Sequence, residues 1–202
     1  MESALTEIEE NIASRQKTDR IMWFSMWFLL SLATFGAAWF LMIYFLIKRR
    51  NDHFARQAKL ETIILNKLGR KRAAGFSQSF VCQRNAEVWA SSTLLVFPAF
   101  YIFYFLMNDL QTHEEHEYAF LMEFVSVAKD LELSMNLNGL TMTARKVEWK
   151  RYAVLTFGTL GFAAVYWLFR IFNDYNNHFK RQWKLEDELL KVMKSVNNSE
   201  AS

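Results

Sequence analysis

The sequence predicts an all-α polytopic membrane protein, and three observations carry that expectation. Three runs without a single charged residue, 21–47, 88–107 and 152–169, divide the 202-residue chain, which is 52% hydrophobic and 16% aromatic. One Pro and 6 Gly supply too few turn residues for a many-stranded fold. A nine-residue motif recurs once, 125 positions on, in the same relation to the run before it. The single Cys excludes an intramolecular disulfide framework and any cysteine-based metal cluster.

Residues 1–20 form an N-terminal segment with 3 basic and 5 acidic groups. The 27-residue run 21–47 that follows is about twice the length of a signal-peptide core, so it is expected to stay in the mature chain as a first transmembrane helix. At about 1.5 Å per residue it reaches roughly 40 Å, enough to cross a ~30 Å hydrocarbon core. Residues 48–87 are strongly basic, with 10 cations against 3 anions, and include the cluster Lys67, Arg70, Lys71 and Arg72. Retention of such a loop in the cytoplasm is its commonest cause, ahead of nucleic-acid binding, which is not expected here.

The second span, 88–107, is expected to start near Ser77 or Ser79 and to bend at Pro98, whose ring displaces a helical hydrogen bond. Residues 108–151 carry 5 basic and 8 acidic groups and read as an external loop. Within it, Phe120, Phe124, Val127 and Leu131 recur at helical spacing, which suits an amphipathic helix on the outer surface or against a partner. The third span, 152–172, is followed by a cytoplasmic extension over 173–202, with a frayed tail from Asn197. Charge bias therefore places the N-terminus outside and the C-terminus in the cytoplasm.

The repeat supports the same orientation. His53-Phe54-Ala55-Arg56-Gln57-Ala58-Lys59-Leu60-Glu61 and His178-Phe179-Lys180-Arg181-Gln182-Trp183-Lys184-Leu185-Glu186 agree at seven of nine positions. Thr34 and Thr159, Gly36 and Gly161, and Asn51 and Asn176 match at the same offset. The first and third spans thus read as duplicated, parallel units. Each is expected to run as one long helix, over 21–68 with Gly69 as its stop and over 152–196 in the second copy.

Three groups of residues are candidates for function. Small residues Ala33, Thr34 and Gly36, with Gly158, Thr159 and Gly161, are expected to let spans one and three approach closely within lipid. On a helix His53, Gln57 and Glu61 share a face, as do His178, Gln182 and Glu186, so the motif reads as a pseudosymmetric helix–helix seam. Arg56, Lys59, Arg181 and Lys184 lie off that face and would meet phospholipid headgroups, or in a more specific reading grip an anionic ligand. In the external loop Asp109, His113, His116 and Glu117 fall on one helical face, and imidazole with carboxylate would suit Zn or Cu.

No obligatory cofactor is implied, and no nucleophile–base pair, phosphate-cradling Gly loop or CxxC is present. The spans contain no ionisable residue of the kind that marks proton relays and ion pathways. The function these features favour is a non-catalytic accessory subunit of a larger membrane complex, packing against other membrane subunits or further copies of itself. The alternatives are a lipid- or anion-binding transport-type protein using the repeated motif, and a metal-binding component of a membrane enzyme complex.

Overall fold

The structure, a computed structural model, describes residues 2–70, 83–130 and 149–201. All regular secondary structure among the described residues is α-helical. The chain forms α1 (Glu2–Ala13), α2 (Arg15–Thr18), α3 (Phe24–Ala33), α4 (Ala37–Lys67), α5 (Ala86–Ser92), α6 (Val96–Asp130), α7 (Trp149–Gly158) and α8 (Phe162–Ala201).

The apolar runs do not form continuous rods. Each is divided into a short helix and the start of a long one, and the two arms fold back on each other. In an unbroken helix Trp27 and Phe45 would lie roughly 27 Å apart, whereas their ring centroids are 5.7 Å apart. Trp89 reaches Phe105 at 5.4 Å, and Tyr152 reaches Trp167 at 5.7 Å. The three expected spans are therefore three helical hairpins, α3–α4, α5–α6 and α7–α8. No helix among the described residues is long and apolar enough to cross a membrane.

The reversal has a local cause, repeated almost atom for atom in the two copies. Phe35 and Gly36 hold φ of 50° and 92°, and Leu160 and Gly161 hold 51° and 97°. Two left-handed residues in succession end a helix in the pattern where N–H groups reach back to the last free carbonyls. Gly36 N donates to Ser31 O at 2.7 Å, and Gly161 N to Thr156 O at 2.8 Å. The next helix is then capped by the Thr of the same turn. Thr34 Oγ1 accepts from Ala38 N, and Thr159 Oγ1 from Ala163 N, both at 2.9 Å.

The repeated small residues are thus turn formers, not helix-packing residues. A Cβ built on Gly36, Gly158 or Gly161 would meet no atom within 4 Å, and Ala33, Thr34 and Thr159 are exposed. Gly161→Ala is expected to destabilise the fold by about 1–2 kcal/mol through backbone strain alone. Gly158→Ala, at a helical position, should be neutral or slightly stabilising. Thermal unfolding of both variants in detergent checks the contrast.

The middle hairpin turns at Thr93–Leu95, ahead of Pro98. Pro98 lies in the first turn of α6, where its missing N–H is not needed, so it introduces no bend. The expected start of this span near Ser77 or Ser79 lies outside the described residues.

The long helices α4, α6 and α8, of 31, 35 and 40 residues in all, continue side by side beyond the hairpins. All three run in the same direction, and α1 lies antiparallel along α4 and α8, as the Lys194–Glu9 ion pair at 2.7 Å records. Two apolar clusters hold the assembly. One, including Ile43, Leu46, Ile102, Phe105, Leu106, Trp167 and Phe172, fills the base of the hairpins. The other, including Ile8, Ile12, Leu60, Ile64, Phe124, Leu185 and Leu189, closes the far end.

Three further expectations change with this architecture. Residues 109–130, expected on the opposite side of a membrane from the repeated motif, pack directly against it as the second half of α6. Phe120 and Phe124 enter the far apolar cluster instead of facing an outer surface or partner, and Leu131 lies outside the described residues. The tail does not fray at Asn197, because α8 continues to Ala201.

Candidate functional site

Two features stand out, one at the hairpin end and one midway along the bundle. The hairpins concentrate exposed apolar surface. Of the exposed large hydrophobic side chains among the described residues, all but Tyr118 and Met122 belong to 23–41, 88–101 and 149–169. Phe35, Leu94, Leu95, Phe97, Leu160 and Phe162 crown the turns, with Phe35 at 101% and Leu160 at 93% relative exposure.

The opposite ends of the α3–α4 and α7–α8 arms are basic. Arg20 precedes α3, Lys48 and Arg49 follow the apolar part of α4, Lys150 and Arg151 open α7, and Arg170 follows the apolar part of α8. These levels coincide, because Arg49 donates to Arg20 O at 3.2 Å and lies 5.5 Å from the Phe172 ring. Here a cleft of about 360 Å³ is lined by Lys17, Arg20, Phe45, Lys48 and Asp52 among others.

Paired asparagines fasten the hairpins to the bundle. Asn51 Nδ2 donates to Arg84 O at 2.7 Å, and its Oδ1 accepts from Arg84 N at 3.2 Å, just before α5. Asn176, at the equivalent repeat position, grips Met22 in the same two-handed way, at 2.7 and 3.2 Å, just before α3. Asp109, expected as a metal ligand, is instead clasped by arginines. Arg84 holds both its oxygens, at 2.7 and 2.9 Å, and Arg50 reaches it at 2.9 Å.

One to two turns further from the hairpins, each long helix contributes a histidine to a common centre. His53 from α4, His113 from α6 and His178 from α8 are all buried. Their ring centroids are 5.0–5.2 Å apart, and one ligand atom from each lies within 4.8 Å of the others. His53 Nε2 and His178 Nε2 face each other at 3.1 Å. The outward nitrogens are engaged by carboxylates, His53 Nδ1 by Asp19 at 2.8 Å and His178 Nδ1 by Glu114 at 3.2 Å. His113 stacks on Phe54 at 4.1 Å, and its Nε2 has no hydrogen-bond partner among the described residues.

Below this layer the seam continues with Gln57 donating to Glu186. Glu117 of α6 is buried here, and neither of its oxygens has a hydrogen-bond partner among the described residues. Arg56, read from sequence as a lipid or anion contact, is instead buried, its Nη2 2.7 Å from both Asp19 and Glu186. Arg181 pairs with Glu114. These carboxylates leave little reason for the motif arginines to take an external anion, while Lys59 and Lys184 stay exposed.

Burial and partners set the protonation states. Burial alone would raise the Asp19 carboxyl, but the hydrogen bond from His53 and the nearby charges hold it below the usual carboxylate range. Burial pushes His53 down to about 4 against the pull of Asp19. Burial and the neighbouring histidines also push His113 well below its ordinary value. Burial and the other carboxylates push Glu117 well above its ordinary value. His53 and His113 are therefore neutral at pH 7, the form that offers lone pairs.

Of the external-loop candidates the structure brings only His113 to this centre. His116 and Glu117 lie further along α6. The sequence reading missed that His113 belongs with the repeated histidines, and it missed Asp19 altogether. The available signal was the chain's 4 His, three of which stand at corresponding points beyond three apolar runs. No known protein family, curated protein or solved structure matches the chain.

Proposed function

We propose that the protein is a membrane-anchored structural component whose three helical hairpins sink into one leaflet while the polar bundle stands over the headgroups. The observation that carries this reading is the confinement of nearly all exposed large apolar side chains to the hairpin arms and turns. The short arms α3 and α7 are 10 residues each. At about 1.5 Å per residue that is ~15 Å, half of a ~30 Å hydrocarbon core.

Three details fit lipid as the occupant. The arms end in a basic level with Arg20, Lys48, Lys150 and Arg151 exposed, suited to phospholipid phosphates. Every backbone N–H from Thr34 to Trp39 and from Thr159 to Ala164 has an acceptor, as a turn without water requires. The turns also place Phe35 and Leu160 in left-handed backbone, where Gly, Asn or Asp would be favoured. Their side chains are almost wholly exposed and gain little within the fold. Such residues are explained by what lies outside the chain. The same aromatic-rich arms offer surface to other subunits of a membrane assembly, and no catalytic role is invoked.

Single cysteines at Phe35, Leu160, Lys59 and Glu115, with Cys82 replaced by Ser, test the reading in phospholipid vesicles. Labels at Phe35 and Leu160 should be quenched by nitroxides carried on acyl chains. A water-soluble reagent added outside should treat Lys59 and Glu115 alike. Protection of one and labelling of the other would show that the chain crosses the bilayer between them and would sink the one-leaflet arrangement.

A further inference from the structure

We propose that His53, His113 and His178 form a three-imidazole binding site for a divalent transition-metal ion of the Zn²⁺ class. The site does not depend on membrane attachment, because it lies in the bundle beyond the hairpins.

A carboxylate can only accept, so Asp19 and Glu114 require His53 and His178 to carry their protons on Nδ1. Both Nε2 atoms then present lone pairs, and these face each other at 3.1 Å. Two lone pairs at that distance repel unless a proton or a cation lies between them. A third buried nitrogen, Nε2 of His113, has no hydrogen-bond partner among the described residues. A cation at the common centre answers all three at once.

The spacing suits such an ion. With Zn–N near 2.0–2.1 Å, tetrahedral coordination places ligand nitrogens roughly 3.3–3.4 Å apart. The His53–His178 separation of 3.1 Å is already close. The most distant ligand pair, within 4.8 Å, closes by a shift of about 1.5 Å. The carboxylate–imidazole pairs are the supporting contacts that metal-bound histidines ordinarily have, fixing tautomer and ring orientation. Three nitrogen donors favour Zn, Co, Ni or Cu over the oxygen-seeking Mg and Ca. Arg50, Arg56 and Arg181 approach the site, but each is paired with a carboxylate. The ion would join three helices directly and the α2–α3 segment through Asp19, leaving a fourth position for water.

Full-length protein purified in detergent and stripped with chelator is titrated with Co²⁺, then with Zn²⁺. One equivalent of Co²⁺ should bind with the intense visible absorption of tetrahedral nitrogen coordination, and Zn²⁺ should displace it. His53→Ala and His178→Ala should each weaken binding at least ~100-fold, and Glu114→Gln by about 10–100-fold. His116→Ala should leave binding unchanged. Should the alanine variants fail to fold by circular dichroism, wild-type stoichiometry with the Glu114→Gln and His116→Ala pair decides. Less than one equivalent bound by wild type, an octahedral cobalt spectrum, or an equal loss in His116→Ala and Glu114→Gln would overturn the assignment.

Discussion

Replacing Arg56 with alanine is expected to lower the stability of the folded chain by about 3–5 kcal/mol, the cost of breaking a buried ion pair on one side. Arg56 is 6% exposed. Its Nη2 lies 2.7 Å from both Asp19 and Glu186, and its Nε donates to Thr18 Oγ1 at 2.9 Å. Without it two buried carboxylates face each other with no shared cation. Burial already pushes the Glu186 carboxyl up, so it can take a proton, and the loss falls mainly on Asp19. Arg56→Lys should recover only part of the loss, because one ammonium cannot reproduce the planar fork that reaches three acceptors. The repeat partner Arg181 is more exposed and pairs with Glu114, so Arg181→Ala should cost far less. Chemical denaturation of the three variants in one detergent measures the order, and equal losses for Arg56→Ala and Arg181→Ala would contradict it.

The second large effect concerns attachment instead of folding. Phe35→Asp combined with Leu160→Asp should abolish binding to phospholipid vesicles while leaving the fold as stable as wild type or more so. A charge near the centre of the hydrocarbon costs about 2.5–3.5 kcal/mol on insertion scales, so two such charges, taken as additive, lose about 5–7 kcal/mol. Within the fold the signs reverse. Phe35 and Leu160 have φ of 50° and 51° and are nearly fully exposed, and Asp adopts left-handed backbone more readily than Phe or Leu. Vesicle flotation and thermal unfolding in detergent read the two effects separately. Unchanged flotation would mean that the turns do not enter lipid.

The helical class, the duplication and the seam residues were legible in sequence because each rests on local pattern or identity. Seven of nine matching motif positions already place His53 and His178, Gln57 and Gln182, and Glu61 and Glu186 on equivalent faces. The hairpins were harder to read. Thr34-Phe35-Gly36 and Thr159-Leu160-Gly161 carry a turn signal, but within 27 apolar residues length alone favours a spanning helix. The third unit, α5–α6, escaped detection because it shares shape and a histidine with the other two but almost none of their side chains.

By itself the sequence determined what repeats and which faces are apolar, since helical periodicity and residue identity follow from neighbours a few positions apart. Only the tertiary structure decided that each apolar run doubles back, which brings α6 alongside the repeated helices. That juxtaposition puts His113 between His53 and His178, and delivers Asp19 from the N-terminal segment to hold one of them. Contacts between residues 34 to 125 positions apart depend on how helices pack, and no local pattern encodes them.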